Sequence, residues 1–157
     1  MNLTTYLPRP FDTTHEREFF DLLQQQLMED YAHRNEPAIL MGNLTLRGKD
    51  IDALFLKPDA LCVLEFKNYG GRIDFHENLD WCADGRIVTG SRNRNPYQQV
   101  KDYRYVVREL LRDHITRPEL NLGHISAMVV FHRPVQVQDE LPQQLKSWFH
   151  IADSTDV

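Results

Sequence analysis

The stretch 48–67 constrains the fold more than any other part of the chain. It reads Gly-Lys-Asp-Ile-Asp-Ala-Leu-Phe-Leu-Lys-Pro-Asp-Ala-Leu-Cys-Val-Leu-Glu-Phe-Lys. Residues 51–56 and 61–67 are apolar runs of strand length, and Lys57-Pro58-Asp59-Ala60 between them is a turn sequence. Side chains alternate along a strand, so Leu61, Val63, Glu65 and Lys67 are expected on one face, and Asp50, Asp52, Leu54 and Leu56 on one face. If the turn closes an antiparallel hairpin with Leu56 opposite Leu61, then Leu54 faces Val63, Asp52 faces Glu65 and Asp50 faces Lys67. This register is an assumption, since a slip of one residue would separate the carboxylates. Directly opposed Cβ atoms lie about 4.5–5.5 Å apart, where like charges repel. Two carboxylates at the end of an apolar face are therefore expected to hold a cation between them.

All the candidate ligands are oxygens, which suits Mg²⁺ or Mn²⁺. Such an ion acidifies a water and polarises a phosphoryl oxygen, and Lys67 would orient that water or balance charge on the phosphate. A solvated strand end is the plain alternative for an arbitrary Glu-x-Lys triplet. Here the triplet closes a strongly apolar strand just after one that starts Asp-Ile-Asp.

The rest of the chain supplies the frame. Residues 1–12, with two prolines, read as an irregular lead-in. Thr13 or Thr14 caps a helix whose stripe is Phe20, Leu23, Leu27 and Tyr31. Glu16 extends that stripe by one turn, either to stabilise the helix dipole or as a third carboxylate of the metal shell. Strands are expected over 39–47, 51–56, 61–67 and 72–75, with a hairpin at Asp84-Gly85. Asn95-Pro96 opens a second helix running to about Arg117. Further strands are expected over 125–131 and 148–152. In the second helix Gln99, Tyr103, Val106 and Leu110 share a stripe. Gln99 is thus placed either to cap the helix or to hold a water or phosphate oxygen at the site, with Tyr103 beside it. The segment Ser91-Arg92-Asn93-Arg94-Asn95 is basic and has nothing apolar to bury. It reads as a solvated loop or, with Arg92, Arg94 and Tyr103, as a contact for nucleic acid. Trp81 and Tyr69 read as core aromatics with base stacking as the alternative, His132 as a structural residue, and Cys62 as a buried, inert thiol.

The chain has 157 residues, 41% of them hydrophobic and 26% charged, which fits one globular domain. Its net charge of −5 argues mildly against sequence-independent nucleic-acid binding, though a local basic patch can sit on an acidic protein. Two cysteines outside any CxxC pair argue against zinc and for a reducing compartment. With no signal-peptide pattern and no long apolar run, a cytoplasmic protein away from the membrane is expected. The end of the chain, close after a strand, reads more readily as the edge of a domain within a longer protein than as a natural tail.

Four pieces of this sequence resemble the nuclease-related domain (NERD) family of the PD-(D/E)xK superfamily. Thr14-His-Glu-Arg17 is similar to the family's Gly-Glu-Arg opening without its glycine. Asp50-Ile-Asp-Ala-Leu resembles its aspartate strand. Val63-Leu-Glu-Phe-Lys-Asn-Tyr-Gly-Gly71 resembles its Glu-x-Lys strand, and Asn95-Pro-Tyr-Gln-Gln99 with Tyr103 resembles its second helix start. The resemblance implies an α/β fold with a restriction-endonuclease-like core, a mixed central sheet flanked by helices in αβββαβ order. It implies a Mg²⁺- or Mn²⁺-dependent nuclease that cuts DNA, with Asp52 and Glu65 on the metal and Lys67, Gln99 and Glu16 completing the centre. A linked helicase-like domain is a partner common in the family. The alternative is a catalytically weak module that binds nucleic acid or regulates an attached enzyme, since fold and activity can part company.

Overall fold

A computed structural model describes residues 2–88, 94–114 and 125–155. Strand β1 (Leu3–Tyr6) precedes helix α1 (Thr14–Tyr31), and then come three long strands, β2 (Ala38–Leu46), β3 (Lys49–Lys57) and β4 (Ala60–Lys67). A short strand β5 (Gly71–Asp74) and a hairpin of β6 (Cys82–Ala83) and β7 (Arg86–Ile87) lead to helix α2 (Pro96–His114). Strands β8 (Ile125–Phe131), β9 (Val135–Val137) and β10 (Phe149–Asp153) close the described chain. The central run α1, β2, β3, β4, α2, β8 is the expected αβββαβ order. Neither described helix is long and apolar enough to cross a membrane.

The main sheet has the order β1-β2-β3-β4-β8-β10, and the smaller one β7-β6-β5-β9. The three long strands form an antiparallel meander, whereas β4, β8 and β10 run parallel. The parallel half needs both faces covered. On one face lies α1, whose Phe19, Phe20 and Leu23 pack with Leu40, Ala53, Leu64, Phe66 and Val130. On the other lie α2 and the small sheet, where Val100, Tyr103 and Val107 pack with Ile73, Trp81, Val63, Val129 and Phe149. Gly42 lets α1 approach β2, because a Cβ there would lie 2.6 Å from Phe20 Cε2.

Two strands depart from the expected reading. The lead-in contains β1, which pairs in parallel with β2 from Leu3 opposite Ala38 to Tyr6 opposite Met41. Val135–Val137 pairs with β5 and was not expected as a strand. The second helix is described to His114, so the expected 115–117 turn lies outside the described residues, as does Arg92.

The hairpin register is as expected over its first half: Leu56 faces Leu61 and Leu54 faces Val63. The ladder then ends at Ala53 opposite Leu64, and the expected Asp52–Glu65 and Asp50–Lys67 pairs do not form. The cause lies one strand away. Asn43 has a left-handed φ of 47°, and the β2–β3 ladder skips from Gly42–Ala53 to Leu44–Ile51. This paired irregularity reverses the faces. Leu40 and Ala53 pack under α1, but Leu44 and Ile51 pack under α2. Asp50 therefore does not share the face of Leu54; it turns to solvent beside Thr45 and Arg9. The side chain of Asn43 is tied to the carbonyls of Arg9 and Pro10, at 3.2 and 2.7 Å, so the lead-in holds the bend.

Candidate metal centre

The bend leaves Asp52 out of both ladders and frees its carboxylate to bond elsewhere. Its Oδ2 accepts from the backbone N–H of Phe66 at 2.8 Å, which brings it across the end of β4. Glu65 arrives there on an apolar strand, behind Leu61, Val63 and Leu64, and is 5% exposed. Asp52 and Glu65 thus meet as expected, but through a side-chain bond to β4 instead of direct cross-strand pairing. Both carboxyls are buried at this end of β4, close enough for each to act on the other's charge. That approach needs a shared proton or a cation.

Burial pushes Asp52 up to about 6, aided by the charge of Glu16, while the Phe66 N–H and Lys67 pull the other way. Burial and then the charge of Asp52 hold Glu65 well above the usual carboxylate range, against the pull of Lys67. Both shifts say that the metal-free centre resists carrying two negative charges.

The remaining residues converge from separate elements. Lys67 Nζ lies 3.4 Å from Glu65 Oε1, and its side chain is 10% exposed. Gln99 Nε2 donates to the same Oε1 at 2.9 Å and lies 2.9 Å from the Tyr103 hydroxyl oxygen. The position of Gln99 is fixed by the start of α2. There Asn95 Oδ1 accepts from the N–H of Gln98 while Gln98 Oε1 accepts from the N–H of Asn95, a reciprocal cap. Asn95 Nδ2 also donates to the carbonyls of His76, Glu77 and Leu79. Glu16 comes from the first turn of α1 and lines the pocket with His15, Asp52, Glu65, Phe66, Lys67, Asn68 and Tyr69, a volume of about 330 Å³.

Asp52, Glu65, Lys67, Gln99 and Glu16 are therefore brought together. Of the residues expected to contact nucleic acid, Tyr103 is 4% exposed and reaches the centre from inside, through Gln99. Arg94 pairs with Asp102 on α2. Trp81 is fully buried and donates to the His76 carbonyl. Cys62 is half-buried, and burial pushes its thiol up, in keeping with an inert role. Two pocket residues escaped the sequence reading, His15 and Asn68, while Tyr69, read as a core aromatic or a base-stacking one, lines the pocket as well. The adjacency of His15 to Glu16 and of Asn68 to Lys67 was the available signal.

Among the described residues, no three His, Cys, Asp or Glu side chains form a ready cage for a metal. Mg²⁺ ordinarily takes only one or two carboxylates and keeps several waters, so the pair Asp52–Glu65 fits its donor needs. Glu65 Oε2 and Gln99 Oε1 are buried here without a hydrogen-bond partner, which is the state expected of oxygens built to meet a cation or its water.

A search of curated proteins and one of solved structures returned no match. A family model described as the nuclease-related domain matches residues 12–132, from just before α1 to the residue after β8, and so takes in every residue of the centre. The chain belongs to the nuclease-related domain (NERD) family, within the PD-(D/E)xK superfamily.

Proposed function

We infer that this domain is a divalent-metal-dependent nuclease that hydrolyses phosphodiester bonds in DNA. The observation that carries the reading is the buried Asp52–Glu65 pair with Lys67 3.4 Å from Glu65. Asp52 and Glu65 would hold Mg²⁺ or Mn²⁺. When bound, the ion supplies an acidified water and a polarised phosphoryl oxygen. Gln99 and the Phe66 N–H each take one carboxylate oxygen, at 2.9 and 2.8 Å, and so fix both side chains in one rotamer. Lys67 provides a cation in a site nearly closed to solvent, where its charge on a developing phosphorane is screened little. Glu16 adds negative charge on the α1 side and can accept a proton from a water in the pocket.

The test is cleavage of labelled plasmid and single-stranded DNA with Mg²⁺, Mn²⁺ or EDTA. Metal-dependent cleavage that is lost in Lys67→Ala, with DNA binding kept, supports the reading. A wild-type protein that binds DNA but cuts neither substrate with either metal supports the binding-module alternative.

A further inference from the structure

Along one flank of α2, Lys101, Arg104, Tyr105, Arg108 and Arg112 fall at successive offsets of three, one, three and four residues, which is one stripe of a helix. Gln99, Tyr103 and Val107 occupy the buried side. We propose that this stripe is a binding surface for a nucleic-acid strand, distinct from the metal centre.

Of the stripe's four cations, Arg112 is paired locally and the other three form no ion pair among the described residues. The acids of α2 are already engaged: Asp102 pairs with Arg94, Glu109 with Arg112, and Asp113 with Arg47. Among the described residues, no carboxylate forms an ion pair with Lys101, Arg104 or Arg108. Arg108 Nε is buried without a hydrogen-bond partner. Burial, and then the charge of Arg108, push Arg104 below its ordinary range. Such like-charge crowding is relieved by an anion lying across both guanidinium groups. A chain with net charge −5 has thus gathered cations on one face.

The geometry is also prepared. The Arg104 guanidinium lies 4.6 Å from the centre of the Trp148 ring, and its Nε donates to the Ile125 carbonyl at 2.6 Å. Arg108 lies 5.6 Å from the Tyr105 ring and Lys101 5.8 Å from the Tyr97 ring. Aromatic support holds a guanidinium plane in place and lowers the entropy lost on meeting a phosphate. Tyr105 is 56% exposed in the middle of these cations. Cations interleaved with an exposed aromatic favour a single strand, whose bases can stack. Charges recur about every 4.5–6 Å along the helix, from a rise of about 1.5 Å per residue. Lys101 is about 200° around α2 from Gln99, so the stripe lies across the helix from the buried side that reaches the metal centre. Only the choice of polyanion rests on the nuclease reading.

The test is fluorescence anisotropy of a labelled oligodeoxythymidine strand and a mixed-sequence duplex, in EDTA, across a salt series. The proteins are wild type, Lys101→Ala/Arg108→Ala and the charge-keeping Lys101→Arg/Arg108→Lys. Removing two phosphate contacts lowers the slope of log K against log salt by about 1.4 for a single strand, which extrapolated from 1 M is about 25-fold weaker binding at 0.1 M. The charge-keeping variant should retain the wild-type slope, which separates charge from folding. Equal slopes in wild type and the alanine variant overturn the proposal and leave the nuclease reading standing, because EDTA removes catalysis from the assay. Wild type that binds neither probe at low salt also overturns it, while the cleavage test judges the centre on its own.

Discussion

Asparagine in place of Asp52 should make the metal-free domain more stable. Asp52 rises from 3.8 to about 6 on folding, chiefly through burial. Between those values the folded state holds a proton that the unfolded chain has released, so stability falls as pH rises through this window. Above the folded value the loss is complete. About two pH units at about 1.4 kcal/mol each give about 3 kcal/mol as the upper bound at pH 7.5. The asparagine side chain has no charge to bury, and its amide oxygen can still accept from the Phe66 N–H. The variant should therefore exceed wild type by about 1–3 kcal/mol at pH 7.5 in EDTA, and match it near pH 3.5. The assay is urea unfolding at both pH values, with thermal melting as a second probe. A gain of that size corresponds to roughly 2–12 °C for a domain of this length. Mg²⁺ should then reverse the order by stabilising wild type alone. If Asp52→Asn is less stable than wild type at pH 7.5 without metal, and equal at low pH, the carboxylate is favourable as a charge and the reasoning fails.

Other outcomes follow from the same geometry. Lys67→Ala should keep Mn²⁺ binding in calorimetry and lose about 10²–10³-fold in cleavage rate, the scale for removing one stabilising group from a dry site. Gln99→Ala removes the donor to Glu65 and Tyr103 and should weaken metal affinity about tenfold or more in the same titration. Asn95→Ala loses the α2 cap and the bonds to three loop carbonyls, so urea unfolding should show a loss of about 2 kcal/mol. Asp153 is buried, which raises its carboxyl, but the bonds it accepts from Thr155 and the Val135 N–H outweigh this and hold it below its ordinary value. Its contribution is present above the unfolded value near 3.8 and is lost as pH falls through the lower folded value. The stability difference between wild type and Asp153→Asn should accordingly shrink toward zero in strong acid.

The hairpin of β3 and β4 was legible because Lys57-Pro58-Asp59-Ala60 fixes the turn and apolar residues fix the register next to it. The meeting of Asp52 with Glu65 was legible as chemistry, not as geometry. Period-two reasoning carried the pairing straight through Asp52, and the irregularity that stops it is set by Asn43 and the Arg9–Pro10 carbonyls, which lie far off in sequence. Asp50 was misplaced for the same reason. Strand β1 was hidden because four residues between a terminus and two prolines show no decisive period, and parallel pairing with β2 supplies what propensity does not. Gln99 and Tyr103 were readable from helical offsets. The pairing of Arg94 with Asp102 was not, because it depends on how the chain enters α2.

If the centre works as proposed, Asp52 and Glu65 form one metal-binding unit. Calorimetric titration of Mn²⁺ into wild type and Glu65→Gln, at pH 7.5 where the variant keeps shape and loses charge, tests it most directly. Wild type should show a saturable site that disappears in the variant while the fold, followed by circular dichroism, is unchanged. Equal Mn²⁺ binding by both proteins, or none by a folded wild type with and without a DNA strand present, would contradict it.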